Sequence, residues 1–265
     1  MQRFFLWEND IPLFDPAYGD FKPYIDLYLP ENGEDKNPCI VVIPGGGYGW
    51  VSVQDEGDKI CRFLNAHGYA AAMLNYRIAP YKHPVYLLDA QRAIRLVRFH
   101  AADWNIDPEK IGTIGFSAGG HLCCMTAVCY DDGKPDGDEI DKASCRINTA
   151  APCYAVTTLD KNVAHSDTRK NFLGGKDDEA LAYAFSTENM LRDDMPPIFL
   201  WHTAADDVVP PECSLRLASA LIKRRLPCEL HIFPFGGHGL NLAAGTPLAD
   251  QWPALYIRWL DHYNR

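Results

Sequence analysis

Short apolar runs rich in β-branched residues recur along this chain, and most are followed by segments whose apolar residues fall at helical spacing. Cys39–Ile43 is continuously apolar, the pattern of a strand buried on both faces. It breaks at Pro44-Gly45-Gly46-Gly47. Glu56–His67 then puts Ile60, Phe63 and Leu64 at helical spacing, with Gly68 as a stop signal. Tyr69–Tyr76 predicts a second buried strand, and Val85–Trp104 a helix with Leu88, Ala93, Ile94 and Val97 on one face. Lys110–Phe116 reads as a strand, Ala118–Cys129 as a compact apolar helix, and Ile147–Ala151 and Pro197–His202 as further strands. Leu215–Arg225 predicts a helix ended by Pro227, Glu229–Phe233 a last strand, and Trp252–His262 a terminal helix. Upstream, the alternation in Tyr24–Leu29 predicts a half-buried strand, with Asn32-Gly33 as a turn signal after it. Strands alternating with helices specify an α/β fold of three layers, a mostly parallel central sheet with helices on both faces. No linker, repeat or low-complexity tract interrupts residues 1–265, which read as one domain. Residues 156–194 fit the alternation poorly and are expected to form an irregular, cap-like excursion over one end of the sheet.

A chain of 265 residues can bury a core without disulfides or a structural metal. Its net charge of −10 repels phosphate backbones and anionic lipid, which argues against nucleic acid and membrane surfaces as partners. The nine cysteines lie mostly in apolar runs and form no CxxC pair, so they read as small buried hydrophobes and not as a zinc or redox site. No apolar run approaches the ~18 residues of a membrane helix. The opening residues reach Glu8 and Asp10 too early for a signal-peptide core, so a reducing, cytoplasmic location is expected. The sequence leaves oligomeric state open.

The segment that carries chemistry is Gly115-Phe116-Ser117-Ala118-Gly119. A G-x-S-x-G string arises by chance in a chain this long with probability roughly 0.1, so its context matters more than its presence. Here it joins a predicted strand to a predicted helix. A serine on such a sharp turn is pushed out above the sheet, and the helix N-terminus behind it favours a developing negative charge. A nucleophilic serine needs a base, and the base an orienting acid, which in this arrangement follow in the order acid, then histidine. Among the downstream histidines, His238 stands in the flexible loop Phe235-Gly236-Gly237-His238-Gly239, just past the last strand. His231 and His262 fall inside elements, His121 follows the serine by one helical turn, and His202 ends a buried strand; structural roles suit these four. For the acid, Asp206 and Asp207 both qualify, with a turn or cap the alternative role for Asp207.

The chain resembles α/β-hydrolases of the carbohydrate-esterase type, bacterial acetyl xylan esterase-like enzymes, and more distantly hormone-sensitive-lipase-like esterases. The resemblance rests on Pro44-Gly45-Gly46-Gly47-Tyr48, Asn75–Pro80, Gly115–His121, His202–Pro210 and Gly237-His238-Gly239. It implies a serine esterase acting on short-chain, acetyl esters of xylo- or related oligosaccharides, with no cofactor and no metal. Its H-G-x-x-D-x-x-V-P pattern falls on His202–Pro210 and selects Asp206, with Thr203 in place of the glycine. Pro44 stands where lipase-like relatives have a histidine. The same alignment implies an oxyanion hole made by the backbone N–H groups of Gly46, Gly47 and Ala118.

Three further residues are candidates for binding substrate. Tyr48 and Trp50 follow the glycine loop, where a sugar ring could stack, with core packing as the alternative for both. Arg77 is a candidate pocket residue, although pairing with a carboxylate such as Asp89 is the commoner role for such an arginine. The excursion is rich in polar and charged residues, from Asp160, Lys161 and Asn162 through His165, Asp167, Arg169, Lys170 and Asn171 to Lys176, Asp177, Asp178 and Glu179, which suits sugar hydroxyls better than a long alkyl tail, with a solvated surface loop as the alternative. Two other readings compete: a serine peptidase of the prolyl-oligopeptidase kind, which usually carries a large extra domain, and a non-catalytic binding module on the same fold.

Overall fold

A computed structural model describes residues 1–31 and 36–264; the Asn32-Gly33 turn lies outside them. Eight strands form one sheet: β1 (Gln2–Phe5), β2 (Tyr24–Tyr28), β3 (Asn37–Ile43), β4 (Ala70–Asn75), β5 (Ile106–Phe116), β6 (Ala150–Cys153), β7 (Ile198–Thr203) and β8 (Cys228–Phe233). Their spatial order is β1-β2-β4-β3-β5-β6-β7-β8. The β1/β2 and β2/β4 pairs are antiparallel and the remaining pairs parallel. The helices are α1 (Lys59–Ala66), α2 (Val85–Phe99), α3 (Ala118–Val128), α4 (Ser166–Leu173), α5 (Glu179–Ala184), α6 (Glu212–Lys223) and α7 (Trp252–Asn264).

The two-residue period of β3 explains the three layers. Cys39, Val41 and Ile43 face a core shared with α2, α3 and α6, through residues such as Ile94, Leu122 and Leu217. Ile40 and Val42 face the opposite core, built with Ile60 and Leu64 of α1 and Trp252, Tyr256 and Leu260 of α7. Both faces being covered is why the run shows no polar alternation. In the second core Trp201 stacks on Trp252 at 4.8 Å between ring centroids. Burying such an aromatic contributes roughly 4–6 kcal/mol at ~25 cal/mol per Å². All nine cysteines are free thiols, seven of them buried. Among the described residues no helix is long and apolar enough to cross a membrane.

Several boundaries differ from the sequence expectation for identifiable reasons. The helix expected from Glu56 begins at Lys59; a wide π-helical turn, Val53–Asp58, precedes it and directs the buried Glu56 side chain inward. The helix expected to reach Trp104 ends at Phe99, and His100 instead stacks on Trp104 at 4.8 Å. Strand β1 was not expected, because its four residues are mostly exposed and show no alternation. The excursion at 156–194 is more regular than its polar sequence suggests. It holds α4, whose N-cap is His165 accepting from Thr168 N–H, and α5, capped by Asp178 accepting from Leu181 N–H at 2.9 Å.

Candidate active site

Strand β5 feeds directly into α3 through Ser117, whose backbone lies at φ 53°, ψ −119°. A non-glycine residue held there costs of order 1–3 kcal/mol, and the surrounding packing maintains it. Gly115 and Gly119 permit the turn: a Cβ on Gly119 would collide with the carbonyl oxygens of Ile43 and Pro44, and one on Gly115 with the Gly119 carbonyl. Ser117 N–H donates to the Cys153 carbonyl at 3.0 Å, which ties the turn to β6.

The loop after β8 brings His238 over the end of the sheet. Ser117 Oγ donates to His238 Nε2 at 2.8 Å, and His238 Nδ1 donates to Asp206 Oδ2 at 2.7 Å. The carboxylate can only accept, so Nδ1 carries the proton and Nε2 is left as the acceptor for the serine. Asp206 is held on every side. Its Oδ1 accepts from Val208 N–H at 3.0 Å and Val209 N–H at 2.9 Å, and its Oδ2 also faces His202 Nε2 at 3.2 Å. Burial opposes ionisation of Asp206, but hydrogen bonds from His202, His238 and Val209 outweigh it and hold the carboxyl well below its usual range. Asp207 is exposed. The two adjacent carboxylates are therefore separated by burial, and Asp206 alone reaches the histidine.

Two histidines outside this chain of bonds are fixed structurally. His202 lies beneath Asp206, donating from Nε2 to the Val209 carbonyl at 2.9 Å and accepting at Nδ1 from Ser214 Oγ at 2.8 Å. Buried His121 donates from Nε2 to the Phe185 carbonyl at 2.9 Å and accepts from Tyr48 Oη at 2.8 Å, and desolvation pushes its pKa down to about 4.

Across the cleft, the loop after β3 turns sharply, with Gly46 at φ 127° and Gly47 at φ 61°. Gly46 O accepts from Gly49 N–H at 2.9 Å and Trp50 N–H at 3.1 Å, which closes the loop into a tight turn. Asn171 Nδ2, from α4, donates to Gly47 O at 2.8 Å. The N–H groups of Gly46, Gly47 and Ala118 have no protein acceptor among the described residues. Three such free donors at a loop and a helix N-terminus can bind an anionic oxygen.

These parts surround a cleft of about 430 Å³, lined by Ser117, His238, Gly46, Gly47 and Trp50, with Glu56, His165, Asp167 and Asn171. Trp50 is 60% exposed at its margin. Two of the expected substrate contacts need correction. Tyr48 is fully buried, stacked on Tyr86 at 4.3 Å and bonded to His121. Arg77 is also fully buried, with Nη2 at 2.5 Å and Nε at 3.1 Å from Asp89 and a further bond to the Pro12 carbonyl. Neither side chain reaches the cleft, because each satisfies its polar atoms inside the fold. Conversely, Glu56 was not singled out by sequence; as one acidic residue in a helical-looking segment it carried no signal. A separate groove of about 690 Å³ between α5 and α6 contains none of Ser117, Asp206 or His238.

The family model BD-FAE matches residues 25–221. The chain belongs to the BD-FAE family. The chain is 36% identical over 245 residues to endo-1,4-beta-xylanase B of Butyrivibrio fibrisolvens, covering 90% of this chain and 38% of that protein. It is 32% identical over 245 residues to the acetylxylan esterase of Xylanibacter ruminicola, covering 91% of this chain and 48% of the relative. It thus spans less than half the length of either. The crystal structure of an acetyl ester-xyloside bifunctional hydrolase from Caldicellulosiruptor lactoaceticus superposes with a TM-score of 0.94 at 45% identity, covering 98% of this chain and 96% of that one. A thermophilic esterase from Thermogutta terrifontis superposes with a TM-score of 0.79 at 27% identity, covering 98% and 93% of the two chains. The sheet order, the covering helices and these neighbours establish the α/β-hydrolase fold expected from the sequence.

Proposed function

We propose that this BD-FAE-family chain is a serine esterase that removes short acyl groups, acetyl above all, from xylo- or related oligosaccharides. The observation that carries the reading is the unbroken hydrogen-bond chain from Asp206 through His238 to Ser117 at the wall of an open cleft. Ser117 attacks the ester carbonyl while His238 takes its proton at Nε2. The oxyanion then accepts from Gly46, Gly47 and Ala118 N–H, each such donor being worth ~2.7–4 kcal/mol in the transition state. His238 passes the proton to the leaving sugar alcohol, water enters, and the acyl-enzyme is hydrolysed by the reverse sequence. Asp206 keeps His238 in the required tautomer and stabilises the imidazolium.

The substrate assignment draws support from the relatives' own activities, acetylxylan ester and acetyl ester-xyloside hydrolysis. The cleft fits it: His165, Asp167 and Asn171 offer hydrogen bonds to hydroxyls, and exposed Trp50 offers a face for a sugar ring. In this reading residues 156–194 cap a single catalytic domain, and the nine free thiols suit a reducing cytoplasm. The test is incubation with a fluorophosphonate probe, read by intact mass, alongside acetate release from acetylated xylo-oligosaccharides. Labelling at Ser117 and release of acetate are expected. No labelling would refute the serine mechanism, and para-nitrophenyl octanoate turned over as well as the acetate would refute the short-acyl preference.

A further inference from the structure

A second carboxylate lies under this site. Glu56 is 5% exposed, and both its oxygens are occupied as acceptors: Oε2 from Gly45 N–H at 2.8 Å and Oε1 from Tyr154 Oη at 2.7 Å. Neither oxygen faces another acceptor, so the geometry satisfies the ionised form. Only the backbone of Gly45 separates it from the nucleophile: a Cβ built there would lie 2.9 Å from Glu56 Oε2 and 3.0 Å from Ser117 Cβ. Tyr154, itself buried, presents its ring edge-on to His238 at 5.1 Å and accepts at its hydroxyl from Asn241 N–H at 3.1 Å. Asn241 belongs to the loop that carries His238, and its carbonyl is anchored by Trp252 Nε1 at 3.0 Å. One carboxylate therefore joins the glycine loop to the histidine loop.

We propose that Glu56 is a positioning residue for the esterase reaction, fixing the Gly45 end of the oxyanion loop and, through Tyr154, the Asn241 end of the histidine loop, while its negative charge favours the imidazolium of His238 in the transition state. The inference rests on the serine-esterase reading and adds a second anion near His238 to it. Burial pushes the Glu56 carboxyl up, and the bonds from Tyr154 and Gly45 and the proximity of His238 pull against that rise. The other titratable or polar groups around His238 are Asp206, with His202 behind it, Ser117, Tyr154 and His165. Besides Asp206 and Glu56, the carboxylates of Asp55 and Asp167 line the same cleft as His238.

The test compares wild type, Glu56→Gln and Tyr154→Phe on para-nitrophenyl acetate across pH 4–9, with folding checked by circular dichroism. Glu56→Gln keeps the shape and removes the charge. It is expected to lower kcat at least tenfold with KM within twofold. It is also expected to move the acid limb of kcat/KM to lower pH, since an imidazole with one less neighbouring anion protonates less readily. A purely structural role would not move that limb. Tyr154→Phe keeps the charge but cuts the link to Asn241, and is expected to lower kcat severalfold without moving the limb downward. A Glu56→Gln profile superimposable on wild type, or a kcat loss with the limb unmoved, overturns the inference. If Glu56→Gln does not fold, unchanged kcat in Tyr154→Phe overturns the positioning role. A wild-type protein with no turnover sinks the esterase reading itself, whereas an active wild type with unaltered variants sinks this inference alone.

Discussion

Replacing Asp206 by asparagine tests the site more sharply than deleting the serine, because it changes one proton position and almost no volume. The asparagine oxygen can keep the place of Oδ1, where Val208 and Val209 N–H donate at 3.0 and 2.9 Å. Its NH₂ group then occupies the place of Oδ2, 2.7 Å from His238 Nδ1. Two donors cannot face each other, so His238 must move its proton to Nε2, the atom that accepts from Ser117 at 2.8 Å. With Nε2 protonated the serine has no base. This tautomer change lowers kcat by about 10⁴-fold in a comparable triad, which is about 5.4 kcal/mol of transition-state free energy. His202 still has the Val209 carbonyl at 2.9 Å as acceptor, so the fold is expected to persist. Exposed Asp207 makes no comparable set of bonds, and Asp207→Asn is expected to stay within about twofold of wild type, as surface substitutions usually do. Steady-state kcat on para-nitrophenyl acetate at pH 7.5 for both variants decides the matter. A loss below tenfold in Asp206→Asn, or a greater loss in Asp207→Asn, would refute the tautomer argument.

Three other outcomes follow from the same geometry. Ser117→Gly and Ser117→Ala should both abolish turnover, but the glycine variant should be the more stable by about 1 kcal/mol in urea unfolding, since it relieves the strained backbone at φ 53°; equal stabilities would show that no strain is stored there. Arg77→Ala should cost about 3–5 kcal/mol of stability by leaving Asp89 buried without its partner, with kcat/KM of the folded fraction near wild type; a large KM increase in a stable protein would restore Arg77 as a substrate contact. Asp206 has its pKa depressed in the folded state, so the native protein binds that proton less readily than the unfolded chain and the ionised group stabilises the fold. That contribution is complete above the unfolded value of about 3.9 and is lost as pH falls through the lower folded value, so the Tm gap between wild type and Asp206→Asn should narrow from pH 6 to pH 3. A gap that widens would reverse the sign of the linkage.

The sequence alone determined the elements whose signal is local. Cys39–Ile43 has to be a buried strand, because a run without polar alternation has no face to offer water. Gly115–Gly119 reads as a tight strand-to-helix turn, because a serine flanked by glycines joins a strand-like run to an apolar helical segment. His238 was legible from its glycine-rich loop beyond the last strand. The resemblance chose Asp206 over Asp207; the fold supplies the physical reason, burying one carboxylate against two backbone N–H groups and leaving the other in water. What lay beyond the sequence was every lateral neighbour. Glu56 and Tyr154 are 98 residues apart and meet only because β3 and β6, parallel and separated by β5 alone, end on the same side of the sheet. In the sequence His165, Asp167 and Asn171 do not stand out from the other polar residues of 156–194; they line the cleft because α4 and its N-cap place them there. Tyr48 directly follows Gly47, and Arg77 comes just after β4, yet both side chains are fully buried inside the protein. Periodicity reports which face of an element is apolar, but which polar side chain that face meets is set by the crossing of elements distant in sequence, and that is decided only when the layers pack.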